Sequence, residues 1–337
     1  MPSFTVYKGS KEGTIVKSTT TKPDLQGDQV LLRVTASGIC GTDLHFQTQD
    51  MVLGHEGVGV VEATGPDVKV IKKGDRVGWG YQTDSCGICQ QCLRGNETHC
   101  SGRIIYGEGN TDLGSFASHG VFREAFLHKI PDNISDEAAA PLQCGGATVY
   151  SALLGITPAD TVGVLGVGGL GHLAIQFAAK MGCRVVVLSS SDRKRDDAMK
   201  LGAHKFIALK DMSKDTKKSP LGDDWALTRL LVTSAAQPDW EKVLSLMAPS
   251  SSIYPLSVSS GNLEIPYMPL IMRGINVQGS MVATRSVHRD MLAFAALHGI
   301  APVTETFTLD ESGIAAGIDK LTKGDITYRA VLIPQSA

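Results

Sequence analysis

The chain has no block of like charge. Its 337 residues carry 32 lysines and arginines against 34 aspartates and glutamates, a formal charge of −2 with histidine neutral. No basic run breaks that balance, so no electrostatic footprint for a nucleic acid is present. A membrane span is missing too. The most apolar stretch, residues 162–179, holds five glycines in its first ten residues; a strand, turn and helix explain it better than one bilayer-crossing helix. There is no internal repeat and no low-complexity tract. Met1-Pro2-Ser3-Phe4-Thr5 shows neither a basic n-region nor an apolar core, so a reducing, cytoplasmic compartment is expected.

What is present is ordinary in bulk and unusual in two residue types. At 42% apolar and 20% charged, the composition is that of a soluble enzyme, and the length suggests about two domains. Glycine is abundant, with 37 residues, which implies many tight turns and close backbone approaches. Six of the seven cysteines fall into two groups. Cys86-x2-Cys89-x2-Cys92-x7-Cys100 sets four thiolates within fifteen residues, enough to close a tetrahedral Zn²⁺ and leave no place for water. Such a site pins a loop and does no chemistry. Disulfides are the competing reading, and they belong to an oxidising compartment. The second group is dispersed: Cys40, His55 with Glu56, and Cys144. Two thiolates and an imidazole leave one zinc position open, as catalytic sites require, although three residues scattered over a hundred are not in themselves a motif. Cys183 belongs to neither group and is expected to be buried at the start of a strand.

Along the chain the grammar changes once. Up to about residue 145 it reads as short strands and turns: Val30 to Val34, Gly57 to Ala63, then Lys73-Gly74-Asp75 leading into a further strand. Turn signals this frequent suggest a β-rich, barrel-like unit. After Pro141 a βαβ pattern takes over. Val162 to Leu165 is a buried-strand run, Gly166-Val167-Gly168-Gly169-Leu170-Gly171 a turn, and His172 to Met181 has helical spacing. Arg184 to Leu188 is the next strand, and Asp192 to Leu201 a following helix. A right-handed crossover and a parallel sheet follow. Lys205 to Leu209, Arg229 to Thr233, Ser252 to Leu256 and Ile275 to Gly279 are further strand candidates. Val303 to Pro334 returns to mixed short elements that can rejoin the first domain. The expected division is 1–145, 146–285 and a returning segment 286–337, and the class is α/β.

The glycine turn follows a strand and opens a helix, which is the context a dinucleotide site needs. Gly166 permits the tight turn, Gly168 and Gly169 let the backbone approach a pyrophosphate, and the N-terminus of the helix that follows Leu170 and Gly171 places partial positive charge beneath it. At the end of the second strand, where a carboxylate would accept from an adenosine ribose, stand Ser189-Ser190-Ser191-Asp192-Arg193-Lys194. Hydroxyls followed by two cations suit a 2′-phosphate, so NADP(H) is preferred over NAD. Against this, the serines could simply cap the next helix, and Asp192 opposes a phosphate.

With both cysteine groups and the glycine turn in this order, the chain resembles the zinc-dependent medium-chain dehydrogenase/reductase superfamily, and within it the cinnamyl alcohol dehydrogenase-like, NADP-dependent branch. The resemblance rests on Gly38-Ile39-Cys40-Gly41-Thr42-Asp43-Leu44-His45, Gly54-His55-Glu56-Gly57-Val58-Gly59 and Leu142-Gln143-Cys144-Gly145-Gly146-Ala147-Thr148-Val149-Tyr150. Gly166 to His172, the triple serine and Tyr328-Arg329 add to it, so nearly the whole chain is covered. It implies a GroES-like catalytic domain joined to a Rossmann cofactor domain, an active site in the cleft between them, and a homodimer built through the cofactor domains. It also implies two zinc ions per chain, one catalytic and one structural, and contact of Thr148 with the cofactor. Two segments depart from the branch. Phe46 to Leu53, a segment that lies beside the substrate cleft in the family, is short and lacks the usual Val-Pro, and Asp112 to Ala117 replaces paired glycines.

The resemblance further implies roles around Cys40, His55 and Cys144. Thr42 is expected to bond the substrate oxygen and to pass a proton through the cofactor ribose to His45. Asp43 is expected to accept from the non-ligating nitrogen of His55, and Glu56 either to visit the zinc or to support its ligands. Asp50 is a further relay candidate, and Phe46, Met51, Trp79, Met281 and Val282 are candidates for the pocket wall. The leading expectation is hydride transfer between NADP(H) and an alcohol or aldehyde, mainly in the direction of reducing apolar or aromatic aldehydes. Reduction of an iminium or activated alkene is the alternative, and a non-catalytic scaffold on the same fold is a third. Intact Thr42 and His45 favour carbonyl chemistry.

Overall fold

The computed structural model describes residues 1–212, 219–259 and 261–335. They form two compact units: Met1–Ala147 with Val282–Ala337, and Thr148–Met281. No helix among the described residues is long and apolar enough to cross a membrane.

The discontinuous unit is organised around one long strand, Gln29–Ile39. Alternate residues Val30, Leu32 and Val34 are buried, while Arg33 between them is exposed. This two-residue period assigns one face to the core. Glu56–Thr64 and His119–Arg123 pair with this strand antiparallel, and so does Arg329–Ile333 near the end of the chain. Thr304–Thr308 then extends the sheet in parallel. The core gathers Leu32, Trp79, Phe116, Met51 and Leu53, and each such side chain contributes about 1.5–3 kcal/mol of transfer free energy.

The continuous unit is a six-stranded parallel sheet. Its spatial order is Lys205–Ala208, Arg184–Ser189, Thr161–Leu165, Leu227–Val232, Met247–Pro255 and Asn276–Val277. Val162, Val164, Val185, Val186 and Val187 are all fully buried. Strands this uniformly apolar are covered on both faces, as a parallel sheet with crossover helices demands. The order reverses between Thr161–Leu165 and Leu227–Val232, the switch point where such sheets open a crevice at their carboxyl ends.

Some elements differ from expectation in extent. The strand expected to begin at Ser252 begins at Met247, with a register shift in its neighbour between Leu227 and Arg229. The one expected over 275–279 pairs only at Asn276–Val277, because it is the outer strand with a neighbour on one side alone. The helix expected from Asp192 opens as a 3₁₀ turn, Asp192–Lys194, before Arg195–Lys200 becomes α-helical.

Candidate active site

Cys40 follows the last residue of the central strand and caps the short helix Gly41–Phe46 in an extended conformation. Asp43, in the first turn, folds back on it. Its Oδ2 accepts from the Cys40 backbone N–H at 2.8 Å, and its Oδ1 accepts from His55 Nδ1 at 2.9 Å. The Tyr106 hydroxyl, whose pKa is raised by burial and then by the charge of nearby Asp43, accepts from the Gly54 N–H at 3.0 Å. The Tyr106 ring lies against His55 with centroids 4.7 Å apart, and Tyr81 meets the same imidazole edge-on at 5.7 Å. A carboxylate this deeply buried needs such donors, because no solvent reaches it.

With Nδ1 committed to Asp43, His55 presents Nε2 to the centre of the unit, where it is buried and has no partner among the described residues. One ligand atom each from Cys40, His55, Glu56 and Cys144 lies within 4.8 Å of the others. An orphaned buried nitrogen costs about 1–3 kcal/mol, and two thiols and a carboxylate around it form a donor set suited to Zn²⁺. The neighbouring Cys144 thiol, and then the charges of His55 and Arg329, hold Cys40 well below the usual thiol range in spite of burial. Burial disfavours charge on His55, but Asp43 outweighs it and raises the ring's basicity, which also makes it a better ligand.

Glu56 is bound on both carboxylate oxygens by the Arg329 guanidinium, from the closing strand. Both side chains are buried. Burial raises Glu56 to about 7, even against the pull of Arg329. Spacing could not reveal this pairing, since 273 positions separate the two residues. Tyr106, likewise, carried no sequence signal.

Around this centre the other expected residues are distributed unevenly. Thr42 Oγ1 lies 3.7 Å from Cys40 Sγ, and His45 is exposed one turn further along the same helix. Asp50, expected as a relay candidate, instead points to the surface and pairs with Lys8 at 3.0 Å. Met51, expected at the pocket wall, is a core residue, while Trp79, equally buried at 1% exposed, also lines a small cavity with His55 and Tyr106. The Trp79 ring fills the space that a Cβ at Gly57 would need. Phe46 packs edge-on against Tyr106 at 5.1 Å. Val282 adopts a positive φ of 48° at the start of the returning segment, and Met281 ends the other unit.

The four cysteines between 86 and 100 make a second cluster. Their Sγ separations are 3.5 Å for Cys86–Cys100, 3.6 Å for Cys89–Cys92 and 4.0 Å for Cys86–Cys92. A disulfide needs about 2.05 Å; the edge of a tetrahedron with Zn–S bonds of about 2.3 Å is about 3.8 Å. The thiols are free, and the geometry fits a metal rather than a bridge. Cys89 N–H and Gly102 N–H donate to sulfurs at 3.3 Å. Buried Glu97, in the same loop, accepts from both the backbone and the side chain of Arg285.

In the continuous unit Gly166 has φ +99°, and a Cβ at Gly171 would lie 2.0 Å from the Gly166 carbonyl oxygen. At Gly168 nothing stands within 4 Å of that position, so this backbone is open to a ligand. Gly169 and Leu170 complete the turn ahead of helix Gly171–Lys180. Gly166, Ser189, Ser190, Ser191, Arg193 and Lys194 line one cavity of about 270 Å³. Lys194 Nζ donates to the Val167 carbonyl at 2.7 Å. Asp192 is occupied by Arg195 at 2.5 Å and Lys210 at 3.6 Å, so its charge is offset locally. Thr148 is buried in helix Ala147–Leu153 and lines no part of this cavity. Cys183 is buried immediately ahead of its strand, its thiol on the Thr157 carbonyl.

Comparison with known proteins agrees with both units. Residues 26–132 match the alcohol dehydrogenase GroES-like domain, and residues 169–297 the zinc-binding dehydrogenase family. The chain is 34% identical over 346 residues to cinnamyl alcohol dehydrogenase 8 of Arabidopsis thaliana, covering 98% of this chain and 94% of that protein. It is 33% identical over 321 residues to an alcohol dehydrogenase of Geobacillus stearothermophilus, covering 92% and 93%. The solved cinnamyl alcohol dehydrogenase SbCAD4 of Sorghum bicolor matches with a TM-score of 0.90 at 31% identity, over 98% of each chain. Fold, cysteine clusters and kinship thus converge: the chain belongs to the zinc-dependent medium-chain dehydrogenase/reductase superfamily, in its cinnamyl alcohol dehydrogenase-like branch, and is an alcohol dehydrogenase.

Proposed function

We propose that this dehydrogenase uses NADP(H) and works mainly as a reductase of apolar or aromatic aldehydes. In this reading Cys40, His55 and Cys144 hold a catalytic zinc, and Cys86, Cys89, Cys92 and Cys100 a structural one. The observation that carries it is the orphaned His55 Nε2 facing two thiols, with its other nitrogen fixed by Asp43. When bound, the zinc supplies Lewis acidity toward the substrate oxygen. The chain's own residues do the rest. Asp43 keeps the proton on His55 Nδ1, so Nε2 is free to ligate. The Thr42 hydroxyl, beside Cys40, is the proton-transfer group at the substrate oxygen, and exposed His45 exchanges that proton with water. Arg329 keeps Glu56 engaged and ready to support the ligand set.

Preference for NADP(H) is supported by Ser189 to Ser191 with Arg193 and Lys194 around one cavity, and by the neutralisation of Asp192. The seven free thiols suit a reducing cytoplasm. A homodimer is supported by the apolar, exposed helix Tyr267–Arg273 beside the outer strand of the parallel sheet. Oxidation of NADPH and NADH by zinc-replete protein over aromatic, aliphatic and iminium substrates tests the proposal, with Cys40→Ser alongside. Turnover of aldehydes with NADPH, abolished in Cys40→Ser, is the expected result. Silence on aldehydes together with zinc-insensitive reduction of iminium or enal double bonds would favour the alternative activity.

A further inference from the structure

Cys40 and His55 sit at the ends of paired strands. Cys144 does not: it lies in the π-helical turn Leu142–Gly146, which follows the helix Asp136–Pro141. Wide turns of this kind are irregular and need support from neighbours. Here the support converges on Gln143, the residue just before the thiol, which is fully buried. Its Nε2 donates to the Ala139 carbonyl at 3.0 Å, which leaves Oε1 as an acceptor. His288 Nε2 lies 3.0 Å from that oxygen and donates to it. Two glycines make room for it: a Cβ at Gly78 would fall 2.4 Å from Gln143 Cδ, and one at Gly80 2.4 Å from the Gln143 carbonyl oxygen and 3.5 Å from His288 Cε1.

His288 belongs to the helix Arg285–His298 and is stacked on His128, with ring centroids 4.0 Å apart and planes 15° from parallel. Both rings are buried. Burial pushes His288 down to about 3 and holds His128 well below the usual range, so both stay neutral. A neutral imidazole has one N–H, and Gln143 Oε1 fixes its position on Nε2.

We infer that His288 is a positioning residue for the three-ligand metal site: acting through Gln143, and braced by His128, it holds the Cys144 turn with its thiol toward Cys40 and His55. The inference rests on the reading of those three residues as metal ligands. It assigns to the returning segment of the chain, which supplies none of the ligands, control over how firmly the metal is kept.

Release of zinc to a colorimetric chelator from zinc-loaded wild type, His288→Leu and His288→Gln provides the test. Cys40→Ser serves to assign the metal held by the four-cysteine site. The wild type is expected to carry two zinc ions. His288→Leu is expected to release the three-ligand zinc about tenfold faster, with release from the four-cysteine site unchanged and an altered visible spectrum in the cobalt-substituted protein. His288→Gln, which restores a donor at the same place, is expected to recover most of the retention. Wild-type release in His288→Leu, or equal acceleration at both sites, would overturn the positioning role. A wild type that binds a single zinc would instead overturn the three-ligand site, and this inference with it.

Discussion

A buried carboxylate has several lone pairs to satisfy and no water to do it, so every donor around Asp43 carries weight. Tyr106→Phe takes a hydroxyl from beside it and leaves the Gly54 N–H without its acceptor. A loss of about 1–3 kcal/mol is expected in urea unfolding. Arg329→Met goes further, because it strands Glu56 in the interior; about 3–5 kcal/mol should be lost, and Glu56→Gln in the same chain should return part of it. The His128 and His288 pair sets a pH dependence with a definite sign. Burial depresses both folded pKa values below the unfolded value of about 6.5, so the unfolded chain binds more protons in acid. Stability is then fully present above about pH 6.5 and falls as pH drops below it, by up to about 1.4 kcal/mol per pH unit for each ring. Unfolding midpoints between pH 7 and 5 in wild type and His288→Leu would reveal a shallower slope in the variant. At this scale the sequence was legible where chemistry is local. The segments bearing Cys40, His55 and Cys144 could be named from it, whereas Arg329 and Gln143 meet their partners only through the fold. Asp50 misled because adjacency in sequence to the ligand segments says nothing about which way a surface loop turns.

Among the elements, the glycine turn separates two demands that look alike in sequence. Gly171 is required by the backbone itself, since an alanine methyl would meet the Gly166 carbonyl oxygen, which cannot swing aside. Gly168 faces open space. Gly171→Ala is therefore expected to lower the melting temperature and the soluble yield. Gly168→Ala should melt like the wild type yet bind NADPH at least about tenfold more weakly in a fluorescence titration, because its methyl occupies the path of the pyrophosphate. The strand, turn and helix from Thr161 to Lys180 were legible because apolar runs and glycine punctuation are strong local signals. The π-helical turn at Cys144 was not, because Leu142-Gln143-Cys144-Gly145-Gly146 has no period that distinguishes it from an ordinary helix end. The short outer strand Asn276–Val277 was over-extended in the sequence reading because an apolar run does not reveal how few neighbours it will find.

At the scale of the whole molecule, an exposed apolar patch lies on the helix Tyr267–Arg273 of the parallel-sheet unit. Tyr267, Met268, Ile271 and Met272 are 61–81% exposed on one short helix, next to an outer strand whose edge has no partner among the described residues. Ile271→Asp is expected to convert the proposed dimer to a monomer in light scattering at micromolar concentration, with little change in the unfolding curve of the subunit. That the chain would leave its first domain and come back was suggested by the mixed short elements after Val303, but strand order was not, since pairing over some 300 positions leaves no trace in local composition. The same long-range pairing has a consequence for synthesis. Every proposed zinc ligand leaves the ribosome before the continuous unit is made, whereas Arg329 and the strand that seals the central sheet follow it. A nascent chain can thus complete its inner unit while Glu56 still waits for its cation, so the buried ion pair forms only after the closing strand has been translated.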